Sequence, residues 1–413
     1  MLDISLLRTH SQKVKQLLAD RVDTSRIDDL LSTDEQWRNA RTALDKTLAE
    51  HKTLSQQAGV NPEAREQGKA KKIQIEEQRK IADALETKRD TLLLTLPNIP
   101  LNETPKGKTE DDKLIIKTVG EPPVFSFTPK SYLSLIPSKD IKLKEGAVAS
   151  GARFNYLTGY IAKLAQAVIH FTLHELVSKQ GFELVFPPTL LQSEVMRSMG
   201  YLDQTAGRDE VFYIEKDDKY LIGTAEHALG ALHMNQTLKS DELPKRYVAY
   251  TPCYRREAGS YGKDTKGIMR LHQFEKIEMF SLTKPQDSEK EHAFFLSLEE
   301  KLMSRLGLHY RVVDLPAGDL GFPSARTFDI ETWLPGQRDG KGEFRETHST
   351  SNCTDYQARR LHIRYTEGKK TSFVHMVNGT AFALERILIA IMEQYQQENG
   401  SVTTPQELTK FLL

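Results

Sequence analysis

Residues 253–280, CYRREAGSYGKDTKGIMRLHQFEKIEMF, decide how this sequence is interpreted. They predict a strand, a long polar loop and a second strand. The loop is rich in glycine and in residues that favour turns over a packed core, and its glycines are Gly259, Gly262 and Gly267. The stretch therefore predicts a β-hairpin with a long exposed tip.

Both strands of this predicted hairpin carry an unusual amount of charge. Alternate residues of a strand share one face, so Arg255 and Glu257 are expected together on the first strand. The same periodicity places Phe274, Lys276 and Glu278 on one face of the second strand, with about 13 Å between the first and the last. That span fits an aromatic base at one end and a small ionic substrate at the other. Taken alone, the pattern fits a solvent-exposed amphipathic hairpin equally well.

The composition sets wide limits on the function. With 413 residues, two or three domains are expected. Lys+Arg and Asp+Glu are both 57, so the net charge indicates neither a nucleic-acid nor a membrane partner. The two cysteines, Cys253 and Cys353, have no disulfide or zinc spacing. The sequence shows no signal peptide and no apolar run long enough for a membrane span, so we expect a cytoplasmic protein without membrane contact.

Residues 1–100 are predicted to be helical. The segment Ser32–Glu35 is typical of a helix start, and apolar residues then recur at near-heptad spacing as far as a break at Gly59–Pro62. A second long helix follows and ends at Pro97. We expect an antiparallel coiled-coil arm over about residues 33–95, roughly 40 Å long. A dimerisation element or a stiff spacer would have the same pattern.

A second domain is predicted over residues 131–413, preceded by about residues 101–130, which are expected to form a linker and the start of this domain, with a short strand candidate at Leu114–Val119. Its strands come in hairpin runs and its helices in separate blocks, which favours an α+β fold with an antiparallel sheet flanked by helices. Neither a GxGxxG nor a GxxxxGK[ST] motif is present. The principal predicted elements are the helices 159–180, 288–306 and 381–395 and the strands 182–186, 211–214, 219–222, 246–254, 310–313 and 325–333.

An ordered set of motifs resembles the bacterial type of seryl-tRNA synthetase, a family of class II aminoacyl-tRNA synthetases, over nearly the whole chain. A helix and strand ending at Pro188 resemble motif 1, and YRREAGSYGKDTKGIMRLHQFEKIE resembles motif 2. LIGTAEHAL is similar to the TxE stretch that recognises serine in this family, and its Thr224 and Glu226 are expected to alternate onto one face of a strand. RETHSTSNCTDYQARR and NGTAFALERILIAIMEQYQ, the latter resembling motif 3, complete the set.

The resemblance implies an N-terminal tRNA-binding arm followed by a class II catalytic domain. It implies an enzyme, a serine–tRNA ligase, that uses ATP and Mg²⁺ to form seryl-adenylate and then charges tRNA(Ser). It also implies a homodimer in which the arm of one subunit guides tRNA to the other, and it leaves open whether tRNA(Sec) is charged too. Two alternatives remain: a ligase that loads an amino acid onto a carrier protein, and a catalytically silent RNA-binding paralogue.

The resemblance also implies roles for individual residues at the ATP end. Arg255 would hold the substrate carboxylate and the α-phosphate, a task suited to a planar, permanently charged guanidinium. Phe274 would stack on adenine, Arg386 would cover the other face or reach the γ-phosphate, and Glu257 would contact the nucleotide. With Glu346, Arg255 and Arg386 are the expected catalytic residues.

The metal and serine subsites follow from the same resemblance. Glu346 and Ser349 would ligate a Mg²⁺ ion that bridges the ATP phosphates, since this ion prefers oxygen ligands. Buried groups that only a hydroxyl can satisfy would reject alanine. The expected serine-binding residues are Thr224, Glu226, Arg255, Glu278 and Thr380.

The chain departs from the family pattern at several positions. Ala381 stands where many class II enzymes have the second motif 3 glycine, and Glu385 precedes Arg386 where a small residue is common. Thr347 and His348 replace the commoner residues after Glu346. None of these changes removes an expected catalytic residue. The loop 260–266 is expected to contact the tRNA acceptor end through its lysines.

Overall fold

The computed structural model describes residues 1–57, 61–202, 205–258 and 266–413, without the side chains of 205 and 206. Two compact units divide the chain, Met1–Ile99 and Pro100–Leu413. The predicted helix break at Gly59 and most of the predicted tRNA-contacting loop, including Lys263, lie outside the described residues. Among the described residues, no helix combines the length and the apolar character that crossing a membrane requires.

The first unit consists of α1 (Ile4–Leu18), α2 (Ser25–Gln57) and α3 (Pro62–Leu94). Arg89 lies over the Trp37 ring at 4.0 Å, whereas Lys71 pairs with Glu50 at 2.6 Å. Because the sequence order of these contacts is reversed between the two helices, α2 and α3 are antiparallel. Their seam is narrow and apolar, with a small core of Leu44, Ile75 and Ala82. Each helix has 33 residues and is about 50 Å long.

The prediction that the long helix begins near Thr33 is wrong, because α2 begins at Ser25 and runs through the expected cap. The Asp34 side chain is buried and does not cap a helix. It accepts hydrogen bonds from Nε and Nη2 of Arg8 at 2.8 and 2.7 Å and from Arg38 at 3.1 Å. Burial alone would raise the pKa of Asp34, but the two guanidinium groups lower it. A partner on α1 therefore overrides the local capping signal.

The second unit is built on an eight-stranded sheet with the order β1-β11-β12-β13-β16-β10-β9-β4. Neighbouring strands are antiparallel except for β4 and β9, which confirms the predicted antiparallel sheet. The strands of the described residues are β1 (Leu114–Val119), β2 (Ile141–Lys142), β3 (Tyr156–Leu157), β4 (Glu183–Leu184), β5 (Leu190–Gln192), β6 (Tyr213–Ile214), β7 (Lys219–Leu221), β8 (Thr237–Lys239), β9 (Lys245–Tyr254), β10 (Gln273–Thr283), β11 (Tyr310–Asp314), β12 (Arg326–Leu334), β13 (Glu343–Thr354), β14 (Arg364–Glu367), β15 (Lys370–Phe373) and β16 (His375–Ala383).

Helices cover one face of this sheet. Residues of α5, α9 and α12 form a single apolar core with the inward side chains of β10 and β16, such as Met279 and Val377. A π-helical turn, His174–Lys179, continues α5, where the sequence predicts one helix as far as residue 180. The helices of this unit are α4 (Leu143–Ser150), α5 (Gly159–Leu173), α6 (Ser193–Ser198), α7 (Thr205–Glu210), α8 (Glu226–Ala231), α9 (Ser288–Arg305), α10 (Gln337–Gly340), α11 (Tyr356–Leu361), α12 (Leu384–Gln394) and α13 (Gln406–Thr409).

Candidate active site

A polar cavity of about 540 Å³ opens over the sheet face opposite the core. Its size lies within the usual range for small-molecule sites. The central strands β10, β12, β13 and β16 all contribute side chains to its lining. The structure brings every sequence-predicted site residue to this one cavity: Thr224, Glu226, Arg255, Glu257, Phe274, Glu278, Glu346, Ser349, Thr380 and Arg386.

Strand periodicity explains why side chains of β10 reach the cavity, but it does not explain why the residues after β9 do. Phe274, Lys276 and Glu278 lie on one strand and all line the cavity, as their alternation predicts. The prediction that Arg255 and Glu257 share a strand face is wrong, because β9 ends at Tyr254. Glu257 instead has a φ of 53°, in the left-handed region, so a turn directs both side chains to the cavity.

Arg255 and Glu257 are held in this turn by separate contacts. Nε of Arg255 donates to the carbonyl oxygen of Gly223 at 3.2 Å. Its guanidinium carbon lies 5.3 Å from the centroid of the Phe274 ring. The Glu257 carboxylate pairs with Nη1 of Arg270 at 2.5 Å. An arginine and an aromatic ring are thus positioned side by side at one end of the cavity.

The TxE residues reach the cavity from a helix start. The prediction that Thr224 and Glu226 alternate on a strand is wrong, since β7 ends at Leu221 and α8 begins at Glu226. The Glu226 carboxylate is 4 % exposed and accepts hydrogen bonds from Oη of Tyr201 at 2.8 Å and Nε2 of Gln357 at 2.7 Å. Burial and the nearby Glu278 raise the pKa of Glu226. A cation placed beside this carboxylate would be strongly favoured.

Glu278 lies next to this group on β10. Its Oε2 pairs with Nζ of Lys276 at 2.5 Å, and the same ammonium group donates to Oγ1 of Thr224 at 2.7 Å. Thr380 is the register partner of Glu278 on β16. These buried polar groups form a compact subsite at the end of the cavity remote along β10 from Phe274.

Glu346 and Ser349 lie on β13, at a different part of the cavity lining. The Glu346 side chain is 49 % exposed because it borders the open cavity, and its Oε1 pairs with Nη1 of Arg386 at 2.9 Å. Burial by the surrounding protein would raise the pKa of Glu346, whereas Arg386 and Arg255 lower it. Asp329 is the register partner of Ser349, and burial followed by the charge of Glu346 raises its pKa strongly.

The described residues contain no group of three or more His, Cys, Asp and Glu side chains that could hold a metal alone. Glu346 and Ser349 nevertheless fit Mg²⁺, because this ion commonly takes one or two protein oxygens and completes its shell with phosphate and water. Because Arg386 pairs with Glu346, its guanidinium would lie beside the phosphates that such an ion binds.

Sequence reasoning missed two residues that line this cavity, Tyr201 and Lys276, and one that supports it from behind, Gln357. Tyr201 and Gln357 donate hydrogen bonds to Glu226, and Lys276 bridges Thr224 and Glu278. Of these three residues, only Lys276 could have been found from the sequence, through its place in the alternating pattern of β10. Gln357 lies within a motif quoted for the family, but nothing in the motif indicates its partner. Tyr201 and Gln357 are 156 positions apart, and only the fold brings them to the same carboxylate.

Two arginines, an aromatic ring, a carboxylate and a hydroxyl line one cavity over a largely antiparallel sheet, and this arrangement is that of the catalytic core of the class II aminoacyl-tRNA synthetases. Residues 211–395 match the family described as tRNA synthetase class II core domain (G, H, P, S and T). Residues 1–100 match the family described as Seryl-tRNA synthetase N-terminal domain.

Individual relatives are similar to this chain over its full length. The chain is 39 % identical over 420 residues to a serine–tRNA ligase of Corynebacterium glutamicum, covering all of this chain and 97 % of the relative. It is 40 % identical over 422 residues to one of Cutibacterium acnes, covering 98 % of that relative. The solved seryl-tRNA synthetase of Pyrococcus horikoshii, complexed with ATP, superposes with a TM-score of 0.93 at 34 % identity over 98 % of its length. The chain belongs to the seryl-tRNA synthetase family.

Proposed function

We propose that this protein activates L-serine with ATP to give seryl-adenylate and transfers the serine to tRNA(Ser). One observation carries the proposal: ten residues with family-implied roles, spread from position 224 to position 386, line a single cavity. Full-length relatives named as serine–tRNA ligases support the same reaction.

At the ATP end, the residues serve to position two anions and to stabilise the transition state. The serine carboxylate attacks the α-phosphate and displaces pyrophosphate, so a cation must hold both reacting groups and offset the charge that develops. Arg255 would do so, because it is fixed by Gly223 and lies beside Phe274. Phe274 would stack on adenine, Arg386 would cover the opposite face or the γ-phosphate, and Glu257 would contact the nucleotide.

At the serine end, buried polar groups provide the specificity. Glu226 and Thr224 would bind the α-ammonium. Burial raises the pKa of Glu226 by disfavouring its charged form, and a positively charged ammonium group beside it would stabilise that form. Glu278 and Thr380 would bind the hydroxyl. Alanine lacks that hydroxyl and would leave both partners unsatisfied, a penalty of about 1–3 kcal/mol for each buried group.

Glu346 and Ser349 would hold a Mg²⁺ ion, which would offset the charge of the ATP phosphates when bound. The chain's own contribution is the orientation of the carboxylate. Nη1 of Arg386 contacts both the Glu346 carboxylate and its backbone oxygen, at 2.9 and 3.1 Å, which fixes this residue at the cavity.

The domain roles are part of the proposal. Residues 1–100 would bind tRNA through the coiled coil of α2 and α3, and residues 131–413 would carry the chemistry as part of a homodimer. Near the end of the hairpin, Lys69 pairs with Glu66 and Lys71 pairs with Glu50. These carboxylates neutralise the lysine charges and so limit the basic character of this surface. We therefore attribute tRNA recognition to shape as well as charge. Whether tRNA(Sec) is a second substrate is decided by the charging assay below.

Serine-dependent ATP–pyrophosphate exchange tests the first half-reaction. We expect exchange with serine, much weaker exchange with threonine and alanine, and loss of exchange when Mg²⁺ is chelated. Charging of tRNA(Ser) and tRNA(Sec) transcripts then tests the second half-reaction, and sedimentation tests the dimer. A folded protein without serine-dependent exchange would refute the proposal and favour a silent RNA-binding paralogue, whereas charging of a carrier protein in place of tRNA would favour the other alternative.

A further inference from the structure

Glu385 is a buried carboxyl group that the reaction proposed above does not use. It is the residue before Arg386, at the second position of α12, and it is 5 % exposed. It also lines the cavity. The backbone N–H of Glu275 donates to the Glu385 carboxyl group, whose two oxygens lie 3.3 and 3.1 Å from that nitrogen. A carbonyl oxygen is available as the acceptor in the neutral acid as well as in the carboxylate.

The link between Glu385 and Glu275 occurs where the sheet ladder stops. The last pair between β10 and β16 joins Lys276 to Ala383, and β16 then gives way to α12 at Leu384. The N–H of Glu275 therefore has no strand neighbour on this side, and the Glu385 side chain supplies the acceptor. A buried N–H without an acceptor is unfavourable, so the carboxyl group stabilises the local end of β10.

The two backbone segments joined in this way carry the two side chains proposed to enclose adenine. Phe274 is adjacent to Glu275, and Arg386 is adjacent to Glu385. A change in the distance between the segments would therefore change the gap between the Phe274 ring and the Arg386 guanidinium.

We propose that Glu385 is a positioning residue of the nucleotide site, which fixes the spacing of Phe274 and Arg386 by joining the end of β10 to the first turn of α12. The proposal rests on the adenine site of the proposed function and adds a residue to it. Glu385 acts through its neighbours and takes no part in the chemical step.

The charge state of Glu385 gives this role a pH signature. Burial raises the pKa of Glu385, and backbone N–H groups, including that of Glu275, partly offset this effect. The charge of the Glu275 carboxyl also raises the pKa and that of Arg386 lowers it, so that the net pKa is about 8. Tyr250 on β9 faces Glu275 and bonds to it. Below pH 8 the group is neutral. Above it, a negative charge appears beside the ATP site and opposes the binding of an anionic nucleotide.

Two variants and one control separate positioning from general stability. Glu385→Ala removes the acceptor and is expected to raise KM for ATP about tenfold, with kcat and KM for serine changed less than about threefold. Glu385→Gln keeps an amide oxygen for the Glu275 N–H and is expected to restore most of the affinity. Glu393→Gln is the control, because Glu393 lies on the same helix, is fully buried and also accepts backbone N–H bonds, but does not line the cavity.

The measurements are pyrophosphate exchange with ATP and serine varied separately from about pH 6.5 to 9.5, and the thermal shift that ATP alone produces. In the wild type and in Glu393→Gln, KM for ATP should rise above about pH 8, and in Glu385→Gln it should stay level. An unchanged KM for ATP in Glu385→Ala, or an equal rise of both KM values, would overturn the proposal. If the alanine variant does not fold, an alkaline rise retained in Glu385→Gln overturns it instead. If the wild type shows no exchange but ATP still produces a normal thermal shift, the proposed function is refuted and the role of Glu385 is not. The thermal shifts that ATP produces in the variants then decide whether Glu385 positions the nucleotide site.

Discussion

Replacing Glu226 with glutamine is expected to weaken serine binding selectively. The Glu226 carboxylate accepts hydrogen bonds from Tyr201 and Gln357 at 2.8 and 2.7 Å, and it is 4 % exposed. Glutamine has one carbonyl oxygen in place of two carboxylate oxygens, so it cannot satisfy both donors and also attract the α-ammonium of serine. The loss of one hydrogen bond to a charged group is worth about 2 kcal/mol, which corresponds to a rise of about thirtyfold in KM for serine.

The pH profile adds a second expectation for the same residue. Because burial and Glu278 raise the pKa of Glu226 above its ordinary value of 4.5, the carboxylate takes up a proton at a higher pH than an exposed glutamate. The neutral acid does not attract an ammonium group, so KM for serine in the wild type should rise as the pH falls through that raised pKa. In Glu226→Gln this acid limb should be absent.

The assay is pyrophosphate exchange with serine and ATP varied separately. Glu291→Gln is a matched control, since Glu291 is equally buried and pairs with Arg246 at 2.6 Å but does not line the cavity. Thermal unfolding of both variants shows whether the fold is intact. Parallel rises of the two KM values in Glu226→Gln, or an acid limb that persists in it, would refute the assignment of Glu226 to the serine ammonium.

Three further outcomes are expected. Burial alone would raise the pKa of Glu175, but Lys301 and Lys179 lower it from 4.5 to about 2, so Glu175→Gln should reduce the unfolding free energy at pH 7 by about 3 kcal/mol. Because the pKa is lowered in the folded state, this difference from the wild type should shrink as the pH falls from about 4.5 towards 2 in urea unfolding curves, and a constant difference would contradict the ion-pair explanation. Phe274→Leu should raise KM for ATP about tenfold through lost base stacking while KM for serine stays nearly constant, and an unchanged KM for ATP would place adenine elsewhere. Deleting residues 33–95 should leave pyrophosphate exchange intact and abolish charging of tRNA(Ser), whereas equal loss of both activities would argue against separate domain roles.

Local sequence patterns were sufficient where the structure depends on neighbouring residues. The alternation of Phe274, Lys276 and Glu278 placed three side chains on one face of β10, because strand geometry alone fixes that relation. The near-heptad spacing before the break at Gly59, together with the second long helix after it, likewise predicted a helical hairpin, although α2 begins eight residues earlier than expected at Thr33. The ordered motifs predicted the family, and the ten site residues named from them all line the cavity.

Tertiary structure decided what depends on residues far apart in the chain. Asp34 lies inside a helix, where Arg8 pairs with it. Glu226 gained Gln357 as a partner through the packing of α8 and α11, and Tyr201 as a partner from the segment that follows α6. The protonation of buried acids such as Glu385 also required the fold, since burial sets their pKa. The sequence by itself therefore determined the family, the main elements and ten residues that meet at one cavity. Only the tertiary structure decided how those residues are held and charged, because hydrogen-bond partners and solvent exclusion arise when distant segments meet.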